Sequence, residues 1–201
     1  MMNKEILEEN IFYYKNVISK PDYIIKKLEE PDTFAGPYSP ISQWKPWMSS
    51  DNAMLYGKFR EGYYSNKYVG SSYDEEMLEI RDIFENAIKE CISDYSLAHN
   101  INAGFSDQFR INKYFEGQGM GPHVDNFFDE DQEAGTNLAL SLVIYLNDDC
   151  EGGEIEFREQ GILLKPEAGS MIIFPSKRPY FHEAKQVTKG FKYMSTGFWY
   201  K

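Results

Sequence analysis

Two of the chain's three histidines stand where they can share an ion. His123-Val124-Asp125 sets an imidazole and a carboxylate two residues apart. In extended chain, residues i and i+2 point to the same face, so both groups can reach one metal. The pair is weak evidence alone: with 12 Asp and three His in the chain, chance supplies one about one time in six. A second imidazole, His182, follows Asp125 by 57 residues. Short strands and a turn can bring it back to the same mouth. Two imidazoles and a carboxylate on one face of an octahedron leave three positions open, the donor set of non-haem Fe(II) sites. Zinc would also occupy such a site in vitro, because affinity alone does not select iron. His99 falls at the end of a helical pattern, where a cation suits the dipole, and reads as structural.

Open coordination positions need an occupant. A 2-oxo acid can chelate iron through its carboxylate and keto oxygen, and a dicarboxylic one then needs a cation for its far end. Lys192, ten residues beyond His182, could supply it as a charge-assisted hydrogen bond. It could equally be a surface lysine like Lys185 and Lys189, since Phe191 and Tyr193 on either side leave its face undecided. Gly117-Gln118-Gly119-Met120-Gly121 precedes Pro122 and a strand rather than a helix, so it reads as a turn that aims His123, not a phosphate loop. There is no G-x-S-x-G elbow and no Cys/His zinc spacing.

The elements that must position these groups change character near residue 100. A strand is expected around Ile11–Ile18, and a helix follows Pro21, from Asp22 to Glu30. Residues 31–72 carry scattered Pro, Gly and Tyr, and read as a lid or as hidden short strands. Residues 73–95 form the main helix, with Met77, Ile80, Phe84, Ile88, Cys91 and Tyr95 on one stripe. Strand patterns follow at Phe109–Tyr114, Leu138–Leu146, Glu154–Phe157, Gly161–Leu164, Met171–Phe174 and Phe191–Tyr200, separated by turn signals. Many short strands at this spacing predict a mainly β fold with supporting helices, a sandwich or jelly roll. No linker or repeat divides the chain, so one domain is expected over 1–201, with 1–100 as support and lid and 105–200 as the core.

Composition narrows the partners. The net charge is −11, which opposes general binding to nucleic acid. Hydrophobic residues make up 42% of the chain and aromatics 16%, which argues against disorder. The longest apolar run, Leu138 to Leu146, is too short to span a bilayer. The start lacks the apolar run of a signal peptide, and Cys91 and Cys150 read as reduced thiols, so a cytoplasmic location is expected. Asn126–Thr136 is an acidic segment beside Asp125 that could form a substrate lip with Phe127 and Phe128, and residues 58–72 could close over the site. Arg178, four residues before His182, could reach the same mouth, and with Phe127 and Trp199 it completes the candidate substrate contacts.

Taken in order, Tyr114, His123-Val124-Asp125, Tyr145-Leu146-Asn147, Gly152-Gly153-Glu154, Pro166-Glu167-Ala168-Gly169-Ser170, Phe174-Pro175, His182-Glu183 and Gly190-Phe191-Lys192-Tyr193 resemble the core of Fe(II)/2-oxoglutarate-dependent dioxygenases, nearest the prolyl 4-hydroxylase-like branch. The resemblance implies a double-stranded β-helix. It implies that His123, Asp125 and His182 ligate Fe(II) and that Lys192 pairs with the distal carboxylate of 2-oxoglutarate. It adds Tyr114 and Tyr145 as cosubstrate contacts, and Thr196, two inward steps past Lys192, to the same pocket. The activity it implies is hydroxylation of a prolyl residue in a protein or peptide, using O2 and yielding succinate and CO2, with ascorbate as a supporting reductant. A free amino acid or other small molecule, or a non-catalytic cupin-like binding module, is the alternative. Three positions depart from the pattern. Ile155 follows Gly-Gly-Glu where a Thr is frequent, Leu138 stands where many relatives carry a substrate-contacting Arg, and Phe198 occupies the place of a late Trp, with Trp199 beside it.

Overall fold

A computed structural model describes residues 3–29, 45–46, 61–63, 75–101, 110–126 and 138–200. The described strands are β1 (Asn3–Glu8), β2 (Ile11–Lys15), β3 (Lys45–Pro46), β4 (Glu61–Tyr63), β5 (Arg110–Tyr114), β6 (Met120–His123), β7 (Leu138–Tyr145), β8 (Glu151–Gly152), β9 (Ile155–Phe157), β10 (Ile162–Leu164), β11 (Met171–Pro175), β12 (His182–Ala184), β13 (Val187–Lys189) and β14 (Lys192–Tyr200). Two helices, α1 (Pro21–Glu29) and α2 (Glu75–His99), complete them. The major sheet runs β1-β2-β11-β7-β14-β5-β4-β3, the minor sheet β10-β9-β12-β6, and β13 pairs with β8. Pairing is antiparallel throughout these strands. This is the jelly roll expected from the strand spacing, in the double-stranded β-helix form that the resemblance implies.

The major sheet is covered on both faces, and β7 shows why its sequence reads as one apolar run. Leu140, Leu142 and Ile144 enter a core shared with the helices, while Val143 and Tyr145 enter the space between the sheets. Ile24 and Leu28 of α1 and Ile80, Phe84, Ile88, Cys91 and Tyr95 of α2 fill the helix-side core. Their spacing is the stripe read in the sequence. Pro21 opens α1, with Asp22 in its first turn and Lys26 and Lys27 in its last, matching the dipole. Cys91 and Cys150 are buried free thiols.

The expected strand after Ile11 ends at Lys15, because Asn16 turns into the left-handed region at φ 55°. The main helix continues to His99, whose ring packs on Tyr95 and Phe12 with centroids 4.4 and 5.0 Å apart, in keeping with a structural role. Strand β1 was not expected, since its six residues are mostly exposed and lack an apolar alternation. Within 31–72, β3 and β4 are two hidden short strands; the remainder lies outside the described residues. The acidic segment from Phe127 to Thr136 lies outside them as well.

Candidate active site

His123 ends β6 and His182 begins β12, and the two are direct cross-strand partners. Their rings therefore sit side by side on one face, with centroids 4.3 Å apart. Asp125 lies just past the strand end, where Asn126 N–H donates to Ser176 O at 2.9 Å and ties the segment to the end of β11. The carboxylate reaches both rings: Oδ1 is 3.6 Å from His123 Nε2, and Oδ2 is 3.6 Å from His182 Nε2. These separations exceed hydrogen-bond length. The ligand atoms of the three residues all lie within 4.8 Å of one another. Cis ligands about 2.1 Å from an octahedral ion stand about 3 Å apart, so small inward shifts complete a site.

The tautomers suit a cation. His123 Nδ1 lies 2.8 Å from Gly121 O and His182 Nδ1 3.2 Å from Tyr180 O. A carbonyl only accepts, so each Nδ1 carries the proton and each Nε2 keeps its lone pair toward Asp125. Burial against Phe174 and Phe157, with ring centroids 4.7 and 5.7 Å away, pushes His182 down to about 4. Asp125 opposes that shift and His123 adds to it. His182 is thus neutral at ordinary pH, the form that ligates.

Lys192 resolves onto the inner face. It is 1% exposed and its Nζ donates to Gly153 O at 2.5 Å, lying 5.5 Å from the Tyr114 ring centroid and 5.3 Å from that of Tyr145. Gly153 has φ 74°, and a Cβ there would stand 3.0 Å from Lys192 Cδ, so glycine serves both the turn and the close approach. Tyr114 is the Cα partner of Lys192. Tyr145 is fully buried and burial holds its phenol well above the ordinary value; its hydroxyl has no hydrogen-bond partner among the described residues. Thr196 Oγ1 is in the same condition two residues along from Met194, which lies in the inter-sheet core. Ile155 is buried in that core too.

The structure thus gathers Tyr114, Tyr145, Lys192 and Thr196 on the inner face of the major sheet, and His123, Asp125 and His182 at the minor sheet. The substrate candidates fare differently. Phe127 lies outside the described residues. Arg178 is exposed and stacks over Phe181 at 5.3 Å. Trp199 is corrected: it is 1% exposed in the helix-side core, on the face away from Lys192. The β14 register is unbroken from Met194 through Trp199 and shifts only before Tyr200, so Trp199 keeps the helix-side parity of Tyr193, and Phe198 that of Lys192. Asn112, one inward step before Tyr114, was overlooked. Both its side-chain polar atoms are buried without a partner. Its signal was an amide at an inward position of the strand that carries Tyr114.

Residues 109–201, a little under half of the chain, match the model of a family described as the 2OG-Fe(II) oxygenase superfamily. A PKHD-type hydroxylase from Rippkaea orientalis is 36% identical over 90 residues, covering 43% of this chain and 40% of that protein. "Probable prolyl 4-hydroxylase 3" from Arabidopsis thaliana is 28% identical over 143 residues, covering 58% of this chain and 49% of that protein. The matches thus span less than half the length of either relative. Among solved structures, a viral collagen prolyl hydroxylase from Paramecium Bursaria Chlorella virus-1, in a 2OG complex, superposes with a TM-score of 0.65 at 17% identity, over 95% of both chains. A Trichoplax adhaerens prolyl hydroxylase, solved with a hypoxia inducible factor peptide, gives 0.62 at 15% identity, over 96% of this chain and 83% of that one. At such identities these structures support the fold. Among the described residues no helix is long and apolar enough to cross a membrane.

Proposed function

We propose that this protein is an Fe(II)- and 2-oxoglutarate-dependent hydroxylase acting on a prolyl residue in a peptide or protein. The observation that carries the reading is the convergence of two Nε2 lone pairs and one carboxylate, at facing distances of 3.6 Å, with a buried lysine across the same interior. When bound, Fe(II) with 2-oxoglutarate and O2 supplies an oxidant strong enough to hydroxylate an unactivated C–H bond, with succinate and CO2 as the other products. His123, Asp125 and His182 would hold the ion, and the Gly121 and Tyr180 carbonyls fix the imidazole tautomers. The donor set fits, since imidazole and carboxylate suit iron and a 2-His-1-carboxylate face leaves positions open.

The cosubstrate fits as well. Lys192 would turn its charge from the Gly153 carbonyl to the distal carboxylate, and the orphaned Tyr145 hydroxyl would donate to the same oxygens. Phe157 and Phe174 exclude water behind His182. The prolyl substrate rests on the names of the relatives and on the resemblance. A small molecule such as a free amino acid is the second reading, favoured by Leu138 standing where many relatives carry Arg.

The test is O2-dependent succinate formation with Fe(II) and 2-oxoglutarate, in wild type and in Asp125→Ala. Candidate prolyl peptides and free amino acids are screened by mass spectrometry for gain of one oxygen atom. Wild-type turnover that Asp125→Ala abolishes supports the reading. Absence of succinate with every substrate, and without one, overturns it.

A further inference from the structure

We infer that Asn126 is a positioning residue of the metal centre, its main-chain N–H and its carboxamide forming a two-point clasp that holds the Asp125 carboxylate against the two imidazoles. The inference rests on the metal reading above. The three ligands are not held alike. His123 and His182 lie in β6 and β12 and are Cα partners, so pairing within the minor sheet sets their spacing. The ladder of β6 ends at His123, and Asp125 lies in a bend two residues on. Strand pairing therefore does not place the carboxylate.

The next residue does. Asn126 N–H donates to Ser176 O at 2.9 Å, and Asn126 Nδ2 donates to Leu138 O at 3.0 Å. Both acceptors are main-chain carbonyls of the major sheet: Ser176 follows the last residue of β11, and Leu138 is the first of β7. The Ser176 end is itself fixed. Its N–H donates to Ala139 O at 3.1 Å, and its Oγ lies 2.8 Å from Ser141 Oγ, with both serines buried. Leu138 is twelve residues along the chain from Asn126, so the carboxamide bond also closes the base of the intervening segment. The clasp thus ties the third ligand to the major sheet, while the imidazole pair is built on the minor one.

A restraint is needed because the three ligand groups repel one another. Each imidazole carries its proton on Nδ1 and turns an Nε2 lone pair toward Asp125, whose oxygens stand 3.6 Å from both. Three acceptors converge with no hydrogen between them, and a carboxylate free to move would turn out to water. Two directed hydrogen bonds from the adjacent residue oppose that turn and preorganise the face for a cation.

The test is Mn(II) titration read by electron paramagnetic resonance, with melting of the metal-free protein in parallel, for wild type, Asn126→Ala and Asp125→Ala. Asn126→Ala is expected to weaken Mn(II) by about 10–100-fold, less than Asp125→Ala, at temperatures where the metal-free variant is folded. Co(II)-loaded protein gives a spectroscopic signature that loss of stability alone would not move. Wild type shows the weak visible bands of a six-coordinate ion, and Asn126→Ala absorbs more strongly as the freed carboxylate lets the coordination number fall. Hydrogen exchange on wild type depends on no variant folding: the Asn126 amide is expected to be protected already in metal-free protein. Wild-type Mn(II) affinity with an unaltered Co(II) spectrum in Asn126→Ala overturns the inference, and so does an Asn126 amide protected only once metal is bound. A loss of Mn(II) affinity in Asp125→Ala alone overturns the clasp and leaves the metal reading standing; unchanged affinity in Asp125→Ala overturns both.

Discussion

The two faces of the major sheet are both buried, and they are built to different ends. On the helix side, Trp199, Phe84, Ile88 and Leu142 pack in a continuous apolar core, and the polar groups at its margin are tied: Lys113 Nζ and Tyr193 Oη both donate to Glu29, at 2.9 and 3.0 Å. On the inner side, Lys192 is set among aromatic rings, and Asn112, Tyr145 and Thr196 hold buried polar atoms with no partner among the described residues. The separation is not absolute, since Ser195 Oγ on the helix-facing side of β14 is also unpartnered. The inner face nonetheless concentrates a charge and an amide, groups that a core serving stability alone would not retain. On the proposed function, one face serves stability and the other binding.

That contrast can be broken by substitutions that affect one property and spare the other. The largest effect is expected from Asp125→Ala, which removes the carboxylate between the two imidazoles. Its affinity for Fe(II) or Mn(II) should fall by more than about 100-fold, beyond what loss of an outer partner costs, while the melting temperature moves little; metal titration with parallel melting checks both. Trp199→Ala should show the opposite pattern, a loss of about 3–5 kcal/mol on denaturant unfolding with unchanged 2-oxoglutarate affinity in the folded fraction. A marked fall in that affinity would restore Trp199 to the site.

Lys192→Met should weaken 2-oxoglutarate by about 2–5 kcal/mol without weakening metal binding. Removing a buried ammonium should leave stability equal or higher. The smallest effect belongs to Tyr145→Phe, which removes one unpartnered hydroxyl. Stability should hold or rise slightly, and 2-oxoglutarate affinity should drop by about 1–2 kcal/mol, read by calorimetry.

How far the sequence carried depended on which face was wet. Where one side of an element meets solvent, the pattern was legible. The α2 stripe is read directly; the β7 run is legible for the opposite reason, as an unbroken apolar run buried on both faces, and the two-residue spacing of His123 and Asp125 is read as extended chain although Asp125 lies in a bend just past β6. Where both sides are buried, alternation fades. Phe191 and Tyr193 flank Lys192 and left its face open. The reason is now physical: Phe191 is 46% exposed, Tyr193 enters the helix-side core, and Lys192 points the other way. Trp199 was misread for the same reason, an aromatic on a strand with two apolar faces. Asn112 was hidden in a strand where Ile111 and Lys113 are buried as well. The pairing of His182 with His123 is a long-range register between strands of three and four residues, which no local pattern encodes.

The most direct test of the account is a 2-oxoglutarate titration, without O2, of protein with and without Fe(II), run for wild type, His123→Ala and Lys192→Met. The account predicts saturable binding to wild type that requires the metal, is lost in His123→Ala, and is weakened at least tenfold in Lys192→Met. Binding that is indifferent to the metal, or equally tight without the lysine, would contradict it.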